Sequence, residues 1–457
     1  MSVIFYFVVG YLVVISLLSI YYMKLVRTEE DFTVAGRRLP AWILAGTLMA
    51  TWMGSGTVVG GTNSLAYRYG PWVAIIFGIA SPIGILVLYF LADKIRGLAQ
   101  RTIPDILEMK YGSAARIIGT FIIMLAYVGI VSYQFKGVGF VLNATLGIPV
   151  DQGTAIAAFI IILIATLGGL ISVAYTDFLS AMIMLIGLGI GIPVAIHLAG
   201  GWGSIAAKLP PEHLKLGGLT PIAILGYFLP LFLLILGDQN MYQRFFAAKD
   251  PRQAKIGAIG WLLGVLIVMP LVSFGATAAR ALYPDISAGQ ALIMLSTHSM
   301  PVVLGGLAVA AITAFIITTA DSYLLSAAVN LSWDLYVRYV NPKATEKQKL
   351  LITRILVILL GVFAYLLIMY FPTVLAVQMY AYTMYGAAIT PALLAALIWK
   401  KATPAGGIAS MLTGAIVTII WEVLKKPYGI GSVIIACLLY TSPSPRDLST
   451  SRMPSSA

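Results

Sequence analysis

The sequence predicts an all-α polytopic membrane protein, and three observations carry that prediction. Sixty per cent of its 457 residues are hydrophobic and only 10% are charged, with a mean hydropathy of +0.95; a soluble domain carries about 25% charged residues. Cutting the chain at charged and Pro/Gly-rich breaks leaves twelve apolar stretches, most of them longer than the ~18–20 residues that cross a bilayer. Two of those stretches, at matching places in the two halves of the chain, are interrupted by glycine or polar residues.

In order, the stretches are 3–22, 42–64, 70–93, 116–142, 153–173, 176–199, 221–243, 256–282, 301–337, 350–371, 373–399 and 404–424. The first is long for a signal-peptide core and has no small-residue cleavage pattern after it, so it reads as a retained helix. Orientation follows from the loops. Lys24, Arg27, Arg37 and Arg38 follow the first stretch, and further Lys and Arg clusters follow the third, seventh, ninth and eleventh, Arg244 and Arg338 among them. The opposite loops hold roughly a third as many basic residues, which predicts a cytoplasmic basic side and an N-terminus outside. The net charge of +12 reflects this asymmetry and gives no reason to expect nucleic acid.

After residue 436 the character changes to "CLLYTSPSPRDLSTSRMPSSA", rich in Ser and Pro. The apolar run 429–440 is too short to span, so a thirteenth helix begins and stops there. Residues 437–457 read as a foreign tail, with a native disordered tail as the alternative. Chemistry at cysteine and histidine is excluded early. The single cysteine, Cys437, allows no disulfide framework, and the three histidines, His197, His213 and His298, form no catalytic or metal-ligand pattern. The chain is not expected to be an enzyme.

The two interruptions are informative. In "LMATWMGSGTVVGGT" (48–62) four glycines crowd what should be a continuous helix, and in "LPLFLLILGDQNMYQRFF" (229–246) Gly237-Asp238-Gln239-Asn240 breaks another. Close helix packing through small residues also explains the first. Broken helices at equivalent positions of two five-helix sets, 42–199 and 221–399, point instead to an inverted-repeat transporter whose site lies at the breaks. Residues 1–41 would then be a preceding helix and cytoplasmic loop, and 404–436 C-terminal extra helices.

The stretch "AITAFIITTADSYLLSAAVN" (311–330) carries a carboxylate at membrane depth, which costs about 2.5–3.5 kcal/mol on insertion scales. On a helix Thr318, Asp321 and Ser322 share one face and Thr319 lies beside them. A lone threonine there would simply bond back to the carbonyl one turn earlier. Four adjacent oxygen-bearing side chains suit a hard alkali cation, with free carbonyls of the break at 50–54 as partners. Asp177 is a second membrane carboxylate, read either as a site residue or, with Thr176, as a helix N-cap. Asp334 reads as an interfacial partner of Arg338 at i+4.

These stretches resemble the sodium:solute symporter family. The resemblance rests on "EDFTVAGRRLPAWILAGTLMATWMGSG" (30–56), "RTIPDILEMKYGSAARIIG" (101–119), "VAYTDFLSA" (173–181), "DQNMYQRFFAAKD" (238–250) and "TTADSYLLSAAVNLSWDLY" (318–336), in that order. It implies a LeuT-like five-plus-five inverted-repeat core with one preceding helix, and sodium-coupled uptake through a cell's inner or plasma membrane. It also implies a main sodium site from the hydroxyls of Thr318 and Thr319 with the carbonyls of Ala50, Met53 and Phe315. The family often has a small residue where Phe315 stands. Asp177, Asp321 and Ser322, with Thr318, match a second site found in some members, where a hydroxyl residue usually stands in place of Asp321. The acid there suits a second sodium or a proton. The expected partners are sodium, a small polar organic solute and the bilayer, with sodium as coupling ion and no other cofactor. Candidate solute contacts are Trp52, Ser55, Gln134 with Tyr133, Asp238, Gln239 and Asn240, with Tyr380 and Tyr382 as an outer aromatic lid. Lys136 suits a carboxylated solute if it faces the cavity and otherwise snorkels to the interface. The rivals are proton coupling on the same fold, and a sensor or channel built on this scaffold.

Overall fold

The computed structural model describes residues 3–24, 26, 28–167, 169–216, 219–371 and 373–440. Among these it is almost wholly helical. Each apolar stretch lacks the polar side chains that would solvate an open backbone. A helix satisfies every amide within its own segment, which lipid requires.

The principal helices are α1 (Val3–Met23), α2 (Ala41–Trp52), α3 (Gly61–Tyr69), α4 (Pro71–Leu98), α5 (Ile103–Tyr111), α6 (Ser113–Leu146), α7 (Val150–Leu167) and α8 (Leu170–Leu198). The second half continues with α9 (Pro221–Gly237), α10 (Gln239–Ala247), α11 (Pro251–Leu282), α12 (Val302–Val340), α13 (Glu346–Ile368), α14 (Val374–Ile398), α15 (Pro404–Val423) and α16 (Ser432–Tyr440). Ten spans among the described residues are long and apolar enough to cross a membrane, eleven if the bent pair α2–α3 counts as one, and α7 is apolar but shorter. All twelve predicted stretches thus have a helical counterpart.

Both predicted breaks are present and differ in kind. Between α2 and α3 the chain leaves helical geometry at Met53 (φ −96°, ψ 72°), makes a wide π turn over Gly56–Gly60, and resumes bent by 53°. Between α9 and α10 the break is one residue: Asp238 turns to ψ 116° and its carboxylate caps the new helix through Asn240 N. A carboxylate at an N-terminus meets the partial positive charge of that end, so the residue that stops one helix starts the next.

α12 is buried along most of its length and forms the spine, with α6, α8 and α1 packed on it and α2 lying against α8 and α11. At one end α5 begins on a capping box, Thr102 with Asp105, and carries Asp105 and Glu108 toward Arg116 of α6.

Two boundary expectations are corrected. α8 starts at Leu170 after Gly169, two turns before Asp177, so Asp177 is helix interior and caps nothing; Thr176 bonds back to Ser172 O at 3.1 Å. Asp334 does not pair with Arg338. It is fully buried and takes bonds from Arg116 (3.0 Å) and Thr102 (3.0 Å), while Arg338 reaches Glu108 at 3.2 Å. A local i+4 pairing lost here to a desolvated guanidinium on another helix. Of the segment read as a foreign tail, residues 437–440 continue α16, and 441–457 lie outside the described residues.

The loop Pro211–Leu214 fastens onto the end of α3. Gly70 has φ +92°, and a Cβ there would sit 1.9 Å from the His213 carbonyl, so only glycine fits. His213 is buried with Nε2 3.3 Å from Tyr67 O. Burial, aided by Arg280 nearby, lowers its pKa below the usual 6.5. As pH falls through that usual value, the unfolded imidazole therefore takes up its proton before the folded one does, and stability declines. Thermal unfolding between pH 7.5 and 5.5 is expected to show a larger loss for the wild type than for His213→Gln.

Candidate functional site

The first break lies directly against α12. Thr318 Oγ1 is 3.3 Å from Ala50 O and 3.3 Å from Phe315 O; Thr319 Oγ1 is 3.2 Å from Ala50 O and 3.1 Å from Thr51 O. Both hydroxyls thus turn across to α2 and do not simply bond back along their own helix. Two hydroxyl and several carbonyl oxygens converge where α2 ends, which is the donor chemistry that a hard alkali cation takes. Phe315 is fully buried, and its carbonyl remains in the set although its ring is bulky.

Gly54 makes the approach possible. A Cβ there would lie 2.6 Å from Thr319 Oγ1 and 2.7 Å from its Cβ. Threonine is β-branched and has no flexible end to move aside. Gly54→Ala is therefore expected to weaken binding of an alkali cation at these oxygens by about 5- to 150-fold, from an overpacking cost of about 1–3 kcal/mol. Sodium titration of protein stability checks it.

One turn along α12, Ser322 of the second predicted set meets Asp177 through Thr51 and through a residue the sequence did not single out, Arg244. Asp177 Oδ2 accepts from Thr47 (2.6 Å), Thr51 (3.1 Å) and Arg244 Nη2 (3.2 Å). Arg244 also donates to Ser322 Oγ (2.8 Å), Thr47 Oγ1 (2.9 Å) and Asn240 O (3.2 Å). The sequence reading counted Arg244 among cytoplasmic loop cations; it is wholly buried on α10. Asp321 is 8% exposed, and its Oδ1 has no hydrogen-bond partner; neither has Asp177 Oδ1.

The predicted solute contacts do not form one cluster. Ser55 N donates to Gln134 Oε1 (2.7 Å) and Ser55 Oγ to Tyr133 O (3.4 Å), joining α6 to the break; Gln134 Nε2 is buried without a partner. Trp52 donates to Ser81 Oγ (3.1 Å) with its ring against Trp261. Around the second break most polar atoms are engaged within the fold, but Asn240 Nδ2 is buried without a partner. Asp238 receives Tyr127 (2.8 Å), Tyr323 and Asn240 N (2.7 Å); Gln239 meets Asn330 (2.5 Å) and Ile103 N (3.0 Å); Asn240 accepts from Ser326 (2.6 Å). Tyr382 turns inward to Tyr133 (3.4 Å), whereas Tyr380, two residues earlier on the same helix, faces Phe371 and is away from the break. The paired lid is thus reduced to Tyr382. Lys136 is half-exposed.

Sequence reasoning missed Gln378. It is buried on α14, donates to Gly56 O (3.2 Å) and accepts from Gly61 N (2.7 Å), clasping the two ends of the π turn that leads into α3. The available signal was a lone amide inside an apolar span, which needs a partner there.

Broken helices whose free carbonyls face hydroxyls on a neighbouring spine, within an all-helical membrane fold, define a LeuT-like secondary transporter. The model of the sodium:solute symporter family matches residues 32–414, and the chain belongs to that family. It is 27% identical over 443 residues to a sodium/proline symporter of Staphylococcus aureus, covering 91% of this chain and 85% of the relative, and equally so over 444 residues to that of strain JH9. In fold it is similar to a Na+-coupled sialic acid symporter in a substrate-bound outward-open state (TM-score 0.78, 20% identity, 97% of this chain and 98% of that one). A nucleobase-cation-symport-1 family transporter in a closed conformation is a more distant likeness (TM-score 0.58, 11% identity, 90% and 92%). The chain is a sodium-coupled symporter and not an enzyme. Family membership favours it over the proton-coupled, sensor and channel alternatives.

Proposed function

We propose that the chain imports a small polar organic solute by alternating access, with sodium held by the Thr318 and Thr319 hydroxyls and the carbonyls of Ala50, Met53 and Phe315. The observation that carries this reading is the convergence of both hydroxyls on Ala50 O at the broken end of α2. Sodium there ties α2 to α12, fixing the geometry of the break where Ser55, Gln134, Trp52 and Gln378 meet. By linkage, sodium then raises solute affinity and solute raises sodium affinity by the same factor. Each charge carried through 100 mV contributes about 2.3 kcal/mol to accumulation.

The repeats span 42–199 and 221–399 and rock against each other about the breaks. The basic loops lie in the cytoplasm, the N-terminus outside, and the membrane is the cell's plasma membrane. Asp238 serves α10 and its tyrosines, so the solute is recognised at the Ser55–Gln134 side of the cavity. Proline, the solute named for the staphylococcal relatives, is the first to test.

The test is thermal unfolding of the purified chain in sodium against potassium chloride at equal ionic strength. A ligand at 100 times its Kd stabilises by about 2.7 kcal/mol. A sodium-specific rise in Tm is expected in the wild type and none in Thr318→Ala. An equal response in the two proteins would remove the main site from these residues. Solutes are then screened for a further rise that requires sodium.

A further inference from the structure

A helix begins with amides that its own carbonyls cannot reach, and buried ones must find partners elsewhere. α5 lies in the basic loop between α4 and α6, and its first amide, Ile103 N, donates to Gln239 Oε1 (3.0 Å). Gln239 is fully buried and stands immediately after Asp238, the residue that separates α9 from α10. Its Nε2 donates to Asn330 Oδ1 (2.5 Å), where α12 widens from α to π geometry. Its backbone N–H donates to the Tyr385 hydroxyl (3.1 Å), which in turn donates to Gly237 O (2.7 Å) across the break. One side chain thus joins the second break both to α5 and to α12.

The rest of α5 is tied down by polar groups as well. Thr102, its N-cap, donates to Asp334 Oδ1 of α12 (3.0 Å), and Arg116 of α6 pairs with Asp105, Glu108 (2.8 Å) and Asp334 (3.0 Å). At the other end the Tyr111 hydroxyl donates to Ala392 O of α14 (2.8 Å). α5 is therefore a crossbar joining α6, α10, α12 and α14 on the basic-loop side. Polar groups recover water when such a bar lifts, so these ties can be made and broken at small net cost. α12 carries them in sequence: the sodium-site hydroxyls at 318 and 319, then Tyr323 to Asp238, Asn330 to Gln239, and Asp334 to Arg116.

We propose that Gln239 is a positioning residue that ties α5 down across the basic-loop side and must let go before solute and ion can leave there. The inference rests on the alternating-access reading above, in which sodium ties α2 to α12 and the basic loops are cytoplasmic. Gln239 then contacts no solute, because both ends of its amide are engaged, the oxygen by α5 and the nitrogen by α12. Sodium fixes α12, α12 fixes Gln239 through Asn330, and Gln239 caps α5. Departure of sodium frees α12, and the crossbar lifts once water replaces Gln239 at Ile103 N.

Amide hydrogen exchange of the purified full-length chain tests this, in sodium or potassium chloride alone and with no solute present. In the wild type, α5 should be better protected in sodium than in potassium. In Gln239→Leu in sodium, α5 should exchange about 10- to 100-fold faster, the scale of two lost buried hydrogen bonds, with α3 and α8 unchanged. Asn330→Ala removes one of the two bonds and should fall between. A residue that only contacts solute has no effect here. Sodium protection of α2 and α12 without any at α5 in the wild type would overturn the inference and leave the sodium site standing, and this outcome needs no variant to fold. Exchange that quickens over the whole chain in both variants, or stays unchanged at α5 in a folded Gln239→Leu, would overturn it as well. A wild type whose exchange ignores sodium everywhere would overturn both readings.

Discussion

Arg244→Gln is expected to lower the stability of the protein in potassium chloride by about 3–5 kcal/mol, the typical cost of removing one partner from a buried ion pair. Arg244 and Asp177 are both wholly buried, 3.2 Å apart, and the guanidinium also holds Thr47, Ser322 and the Asn240 carbonyl. Its loss strands Asp177 with hydroxyl donors alone. Adding Asp177→Asn is expected to recover most of the loss, because the stranded charge disappears with it; a double-mutant cycle isolates that coupling. Arg244→Lys should not substitute. A single ammonium cannot meet acceptors on α2, α8, α10 and α12 together, as a planar fork of five donors does. Denaturant or thermal unfolding of the four proteins measures the cycle. If the double variant is no more stable than Arg244→Gln, the pair is not the source of the effect.

This arginine also shows where reading from sequence stops. The spans, the two breaks and the threonine pair were legible because each is a local pattern: runs of apolar residues, glycines crowding one helix, hydroxyls adjacent on another. Arg244 sits near the end of its span, beside the basic stretch that begins at Lys249, and the positive-inside rule assigns such a residue to the loop. Only the tertiary contacts of α10 reveal that it points back into the core. Asp334 went wrong for the same reason, since Arg116 lies more than two hundred residues away in sequence. Of the two readings of Asp177, the helix N-cap could have been set aside from sequence. "LGGLISVAYTD" holds a glycine pair ahead of the threonine, and Gly169 in extended geometry (φ −170°, ψ 167°) is where the helix starts. The solute contacts were the least legible. Asp238, Gln239 and Asn240 are polar residues at a break in sequence, but whether such groups face a cavity or one another depends on Tyr127, Tyr323 and Ser326 from distant helices.

Asp321→Asn separates charge from fold more cleanly than any other change at the site. Asp321 follows Thr318 by three residues, about 5 Å along a helix rising 1.5 Å per residue. Unit charges at that distance attract by about 3 kcal/mol at an effective dielectric constant near 20. Removing the carboxylate is therefore expected to weaken sodium binding by about 10- to 100-fold. Stability in potassium should stay level or rise, because Asp321 Oδ1 forms no hydrogen bond and its charge has no exclusive partner. Asp177→Asn makes the contrast. It also subtracts a negative charge, but it leaves the buried Arg244 without its only hydrogen-bonded carboxylate, held by two hydroxyls and the Asn240 carbonyl, so sodium affinity and stability should fall together. Sodium titrations monitored by thermal unfolding in a potassium background read both quantities in one experiment. Unchanged sodium affinity in Asp321→Asn would mean that the acid does not feel the ion. A fall in potassium-state stability comparable to that of Asp177→Asn would mean that its role is structural. With lower affinity and stability retained, Asp321 acts as the electrostatic draw for the coupling ion, and that is what makes a carboxylate at membrane depth tolerable in this fold.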